Sequence, residues 1–174
     1  GRKIIAQVAP AFAGQFGPKV TPEMFKTALK ELGFADVYET ALGADMGCMA
    51  EAEHYVKEVA TGKQQFALTS CCPSWSVMAK NLFPETIDKI SNELTPMVAT
   101  ARLIKQEHPD ASVVFIGPCA SKKLEASRRT VRSDVDFVIT FEELTGMFEA
   151  KGMHREILSR YTGQYPACGE PGRM

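Results

Sequence analysis

Cysteine is the residue type with the clearest capacity for chemistry in this chain of 174 residues. The five cysteines are Cys48, Cys71, Cys72, Cys119 and Cys168. An odd number that includes an adjacent pair fits a secreted disulfide framework poorly, because bonding two neighbours strains the ring. Thiols that ligate a metal or react in a reducing compartment fit better, so we expect a cytoplasmic protein that uses sulfur chemistry.

Three of the cysteines follow segments with the apolar pattern of strands. Residues 65–70 and 111–116 are predicted strands, and Cys71-Cys72-Pro73 and Pro118-Cys119 come after them. Ligands of open α/β sheets bind at the carboxyl ends of strands, so both segments are expected to supply thiols to one crevice. Predicted helices begin after each segment and place N–H groups beside the sulfurs, which favours thiolates. The alternative is that these residues are small, buried and inert, as free cysteines commonly are.

A lysine and a glutamate stand close behind Cys119. Lys122 and Glu125 are three residues apart, so a helix places them on one face. They could be a solvated surface pair or a cation directed at an anionic cofactor beside Cys119, and the spacing leaves both open.

Strand and helix patterns alternate along the chain. Strands are predicted at residues 3–9, 35–40, 65–70, 111–116 and 136–140, and helices are predicted to begin near positions 21, 45, 73, 95, 121 and 141. This alternation indicates an α/β fold with a mostly parallel sheet and helices on both faces. We expect one lobe over residues 1–153, followed by an irregular or truncated tail over residues 154–174.

Composition and charge exclude several classes of protein. The formal net charge is −1 and 45% of the residues are hydrophobic, which is typical of a globular domain and unlike a nucleic-acid-binding one. No apolar run is long enough to span a bilayer, so neither nucleic acid nor a membrane is an expected partner.

Two motifs at the cysteines resemble the signatures of iron-only (di-iron) hydrogenases. Residues 69–75 (TSCCPSW) resemble the family's first signature, and residues 118–125 (PCASKKLE) resemble its second. Residues 134–144 and residues 7–11 (QVAPA) are similar to two further parts of the catalytic domain. The similarity extends from near residue 3 to about residue 153, and it implies the fold of the first lobe of that domain.

The resemblance implies a specific cofactor. The family holds a 4Fe–4S cluster that a cysteine sulfur joins to a di-iron subcluster with carbon monoxide, cyanide and dithiolate ligands. By motif match, Cys72 and Cys119 would be two of the four cluster ligands. Cys71 would pass protons to and from the di-iron unit. Lys122 would hydrogen-bond a cyanide ligand, with support from Glu125.

The resemblance also implies pocket walls and a proton path. The residues expected to line the di-iron pocket are Ala9, Pro10, Pro96 and Gly117. Protons would pass from Cys71 to solvent through Glu51, Ser91 and His54. His54 stands where the family has a carboxylate, and histidine can carry protons near neutral pH. Glu51 and His54 could equally be ordinary exposed helix residues.

Several features depart from the family's pattern. Gly117 and Met97 stand where the best-studied members have methionine and glutamine. No Cys-x-x-x-Cys pair follows Cys119, although the family's third signature contains one. Cys168 is not expected to be a ligand, and Cys48 is expected to lie in the core. We therefore expect a divergent branch, truncated before the third motif, that needs the missing C-terminal half of the same domain as a partner.

The function implied by the resemblance is the reversible reduction of protons to molecular hydrogen, 2H⁺ + 2e⁻ ⇌ H₂. Expected partners are ferredoxin or fused ferredoxin-like domains as electron donors, and the hydrogenase maturation proteins. This chain alone is expected to be inactive. The alternatives are a hydrogen-sensing module, a non-catalytic hydrogenase-like iron–sulfur protein, and a thiol-redox or zinc-binding α/β domain.

Overall fold

The part of the chain that the structure describes contains four parallel strands and six α-helices. This structure is a computed structural model, and it describes residues 2–129, 131 and 134–153. The strands are β1 (Ile4–Val8), β2 (Asp36–Glu39), β3 (Ser112–Gly117) and β4 (Phe137–Thr140). The α-helices are α1 (Pro22–Leu32), α2 (Ala41–His54), α3 (Pro73–Leu82), α4 (Pro96–Glu107), α5 (Ser121–Ala126) and α6 (Phe141–Ala150). The predicted tail with Cys168 lies outside the described residues.

The strand order of the sheet is β2-β1-β3-β4, and all neighbours are parallel. The chain winds from β1 to β2 on one side and then places β3 on the other side of β1. The order therefore reverses between β1 and β3, and ligands of open α/β sheets bind at such a switch point. Residues that follow these two strands are the natural candidates for a site.

Helices cover both faces of the sheet, which confirms the predicted architecture. On one face, the buried Gln7 of β1 donates a hydrogen bond from Nε2 to the carbonyl oxygen of Met97 in α4, over 3.0 Å. On the other face, the Phe16 ring packs against Phe25 of α1 and Phe141 of α6, at centroid distances of 4.8 and 5.6 Å. Successive strand residues point to opposite faces, so nearly continuous burial of β1 and β3 follows from helices on both sides.

Local capping signals place the first helix as predicted. The Thr21 hydroxyl accepts a hydrogen bond from the Met24 N–H, and Pro22 occupies the first helical position. Gly33 ends α1 with a φ of 124°, a conformation that glycine adopts without steric cost. Within the described ranges, no helix has both the length and the apolar character to cross a membrane.

The prediction of a strand at residues 65–70 is wrong. Only Leu68 forms a β-bridge there, an isolated parallel bridge with Ile90. The Leu68 N–H donates to Lys89, and the Leu68 carbonyl accepts from the Ser91 N–H. A strand inside a parallel sheet must bury side chains on both faces, whereas Phe66 in this segment is 42% exposed. Cys71 therefore follows a loop, and only Cys119 follows a strand of the sheet.

The prediction that Cys48 lies in the core is also wrong. Met49 is 77% exposed, Val56 in the π-helical turn Tyr55–Val59 is 64% exposed, and Cys48 is exposed instead of lying in the core. The helix approaches α4 through a small residue instead, because the Gly43 N–H donates to Thr100 Oγ1 over 3.1 Å. This close approach turns the large apolar side chains of α2 outward.

Candidate metal centre

The loops that carry Cys72 and Cys119 lie side by side. Ser74, in the first turn of α3, donates a hydrogen bond to the hydroxyl of Ser121, in the first turn of α5, over 2.7 Å. Lys122 adds a second link, because its Nζ donates to the carbonyl oxygen of Cys71 over 3.1 Å. The N-termini of two helices that begin 48 residues apart in sequence therefore meet at one place.

Both sulfurs accept hydrogen bonds from backbone N–H groups at these helix N-termini. Cys72 Sγ accepts from the Trp75 N–H and Cys119 Sγ from the Ser121 N–H, each over 3.4 Å. Both residues are exposed, so the alternative of buried and inert cysteines does not hold for them. Sulfurs that are oriented by the backbone and open to the outside are suited to bind a soft metal ion or cluster.

A hydrogen bond between residues on either side of Cys71 holds its loop in place. The indole N–H of Trp75 donates to the Thr69 carbonyl oxygen over 3.0 Å, which closes the loop around Cys71. The Thr69 hydroxyl lies 3.8 Å from Cys71 Sγ. Cys71 is exposed, so its thiol is accessible for proton exchange.

A nearly buried ion pair lies directly beside these loops. Lys122 Nζ is 2.7 Å from Glu125 Oε2, and the two side chains are only 14% and 3% exposed. The pair is not a solvated surface pair, because both side chains are nearly buried and Lys122 also contacts the Cys71 loop. An ammonium has three N–H donors, and two of them have partners among the described residues. The third is available to an anionic ligand.

Two of the predicted pocket residues, Ala9 and Gly117, lie together at the ends of β1 and β3. The Ala9 N–H donates to the Ile116 carbonyl over 2.8 Å, which extends the ladder beyond the strands and places Ala9 beside Gly117. Pro10, next in the chain, is exposed. Pro96 begins α4, and the bond from Gln7 to Met97 ties that helix start to β1.

Among the described residues, no hydrogen bond links the three predicted proton carriers. Glu51 lies half-buried on α2, and His54 is exposed at the last residue of that helix. Ser91 is half-buried, and its hydroxyl accepts a hydrogen bond from the Glu93 N–H. Within the described part of the chain, no hydrogen bond joins these side chains to one another or to Cys71. Their roles stay predictions.

A family model described as iron only hydrogenase large subunit, C-terminal domain, matches residues 2–168. The chain belongs to this hydrogenase family. Iron hydrogenase 1 from Clostridium pasteurianum is 33% identical over an alignment of 156 residues, and the match covers 83% of this chain and 27% of the relative. The cytosolic Fe-S cluster assembly factor NAR1 from Meyerozyma guilliermondii is 29% identical over an alignment of 134 residues, and the match covers 70% of this chain and 25% of the relative.

Solved hydrogenase structures have the same fold. A variant of the FeFe-hydrogenase HydA1 from Chlamydomonas reinhardtii matches with a TM-score of 0.76 and 28% identity. The match covers 90% of this chain and 44% of that one. The chain thus spans less than half the length of the hydrogenases that it matches, and it has their α/β architecture.

The thiols of this hydrogenase-family chain fit a cysteine-ligated iron–sulfur cluster in part. Cys72 and Cys119 provide two sulfur donors, whereas a cluster held by four cysteines needs two more. Among the described residues, no three His, Cys, Asp or Glu side chains group closely enough to hold a metal ion. Any complete ligand set must therefore include donors from outside this part of the chain.

Sequence reasoning missed the serine pair that joins the two loops. Ser74 and Ser121 each stand two residues after a cysteine of a motif, at Cys72 and Cys119. This equal spacing was a usable signal, because each serine lies in the first turn of the helix that follows its cysteine.

Proposed function

We propose that this chain is one lobe of the catalytic domain of an iron-only hydrogenase, which interconverts protons, electrons and molecular hydrogen. The observation that supports this proposal best is the position of Lys122. A cation paired with a nearly buried carboxylate has one N–H free of protein partners in the described structure, and it lies beside the exposed cysteine loops. A lysine on a solvated surface helix would instead be exposed to water.

Each residue has a defined task in this proposal. Cys72 and Cys119 hold the 4Fe–4S cluster, and Lys122 donates its third N–H to a cyanide ligand as a charge-assisted hydrogen bond. When bound, the di-iron subcluster with its carbon monoxide, cyanide and dithiolate ligands supplies the site where hydrogen is made or split. The Cys71 thiol exchanges a proton there. The pocket walls are Ala9, Pro10, Pro96 and Gly117, and the path to solvent is Glu51, Ser91 and His54.

The complementary half of the domain is the partner that this site requires. It would supply the two remaining cluster ligands. Support comes from the large apolar side chains that α2, α3 and the short helices after them leave exposed, which include Met49, Val56, Leu82 and Phe83. Apolar exposure of this kind marks surfaces that another polypeptide covers. Ferredoxin or ferredoxin-like domains would supply electrons, and maturation proteins would insert the di-iron unit.

A non-catalytic iron–sulfur role is the second candidate. The observation that favours it is the similarity to NAR1 proteins, whose name is that of a cytosolic Fe-S cluster assembly factor. The names of the relatives also differ in compartment, since one is a periplasmic hydrogenase large subunit. We propose a cytoplasmic protein, in keeping with the free thiols.

Metal content and infrared spectra separate the two candidates. We would join this chain to its complementary half, mature it anaerobically, and measure iron and the carbon monoxide and cyanide stretching bands. A hydrogenase shows both, whereas an assembly factor shows iron without the bands. Cys72→Ser and Cys119→Ser should lower the iron content, and Cys48→Ser is the matched control because it replaces an exposed cysteine outside the motifs.

The proton-transfer role has its own test. Cys71→Ser in the matured protein should keep the infrared bands and lose hydrogen evolution by roughly 10²–10⁴-fold, the usual contribution of a positioned acid–base group. Hydrogen evolution at the level of the unaltered protein would contradict the role of Cys71.

A further inference from the structure

The ring of Phe115 occupies the space where a side chain at position 117 would begin. A Cβ atom built on Gly117 would lie 2.5 Å from Phe115 Cε1 and 2.7 Å from Cζ. It would also lie 3.3 Å from the Cβ of Ala9. Non-bonded carbon atoms in folded proteins do not approach each other to 2.5 Å, so any residue other than glycine at this position requires the ring to move.

The surroundings explain why the ring lies there. Phe115 and Gly117 are two residues apart on β3, so they share the face of the sheet that α4 covers. In the sheet register Phe115 is paired with Gln7, whose side-chain amide is bonded to α4. The ring is 3% exposed and Gln7 is fully buried. The ring is thus confined at the carboxyl end of β3, beside Gly117 and the residue that follows β1, Ala9.

We propose that Phe115 is a positioning residue that forms the apolar floor of the crevice at this switch point. The glycine at 117 and the large ring at 115 act as a small–large pair. The ring fills the volume that a long side chain at 117 would fill, and it excludes water from behind the Ala9 and Gly117 backbone. This inference rests on the proposed function, because the group resting on the floor would be the di-iron unit.

A double-mutant cycle on the metal-free chain tests the pair. Gly117→Ala should lower the midpoint of thermal unfolding clearly in the unaltered chain and much less in a Phe115→Ala background. Gly146→Ala is the control, because nothing lies within 4 Å of a Cβ at that position, and its effect should be the same in both backgrounds. Equal losses from Gly117→Ala in both backgrounds would overturn the proposal.

The double-mutant cycle still tests the pair if one of the single variants does not fold. If Gly117→Ala alone does not fold, recovery of a folded chain in the Phe115→Ala double variant supports the pair, and continued failure counts against it. If Phe115→Ala alone does not fold, Phe115→Leu replaces it, since leucine keeps apolar volume and removes the ring atoms that the Cβ would meet.

Infrared spectra test whether Phe115 supports the bound group or only packs in the core. In the matured protein, Phe115→Ala should shift the carbon monoxide and cyanide bands, and Phe115→Leu should shift them less. Val113→Ala is the control, because Val113 is equally buried on the same face of β3 but lies further from the strand end. Bands that do not move with Phe115→Ala would overturn the positioning role. A protein that acquires no iron would refute the proposed function, whereas the metal-free cycle would still test the pair.

Discussion

Replacement of Lys122 by methionine is the perturbation for which the structure predicts the largest loss of stability at the site. Methionine keeps the length of the side chain and removes its charge. Glu125, whose side chain is 3% exposed, then loses the cation 2.7 Å away, and the Cys71 carbonyl loses a donor. The variant therefore leaves a carboxylate uncompensated in the interior.

The size of the effect follows from distance and burial. At 2.7 Å, two unit charges attract each other by roughly 6 kcal/mol with an effective dielectric constant of about 20. Desolvation offsets part of this attraction, and removal of one partner of a buried pair costs about 3–5 kcal/mol. We expect Lys122→Met to lower the free energy of unfolding by that amount. Lys122→Met combined with Glu125→Leu should recover most of it, because an apolar pair needs no compensation.

Urea unfolding of the metal-free chain measures this loss. Lys123→Met is the matched control, because Lys123 is the next residue on α5 and pairs with Glu143 at the exposed surface, where ion pairs contribute little. A loss from Lys122→Met no larger than that from Lys123→Met would refute the reasoning. Failure of the double variant to recover stability would show that the lost contact with the Cys71 loop, and not the stranded charge, is the cause.

Two further predictions concern packing and pH. Gly43→Ala should destabilise the chain, because a Cβ there would lie 2.4 Å from Thr100 Oγ1, whereas Gly47→Ala, with its nearest neighbour at 3.8 Å, should be neutral or stabilise by about 0.5–1 kcal/mol. Equal midpoints of thermal unfolding for Gly43→Ala and Gly47→Ala would contradict this prediction. The hydrogen bond to Glu107 raises the pKa of Tyr38 to about 12, so its stabilisation is full below about pH 10 and is lost as the pH rises toward about 12. Tyr38→Phe should remove that part of the pH dependence of the urea midpoint.

Local signals were sufficient for most of the sheet and for the first helix. Strands β1, β3 and β4 have apolar runs, β2 has Val37 and Tyr38 between two acidic residues, and Thr21 with Pro22 marks the start of α1. These signals act over a few residues, so they can be recognised without knowing what packs against them. The family motifs likewise identify the cysteines by residue type and order alone.

The errors share a physical cause. Residues 65–70 have the pattern of a strand, and Cys48 on α2 is of a residue type that is commonly buried. Burial depends on a partner surface, and the described residues leave most of these side chains exposed. A close contact between Gly43 and Thr100 sets the orientation of α2, and no apolar period reveals such a contact.

The sequence by itself determined which groups are present: adjacent cysteines before a proline, a third cysteine after a strand, and a lysine and a glutamate at helical spacing. Only the tertiary structure decided which of them meet. Ser74 and Ser121 are 47 positions apart, and Cys71 and Lys122 are 51 apart, yet each pair is hydrogen-bonded. The physical reason is the winding of the parallel sheet. It brings the segment after β3 to the carboxyl edge of the sheet, where α5 packs against α3.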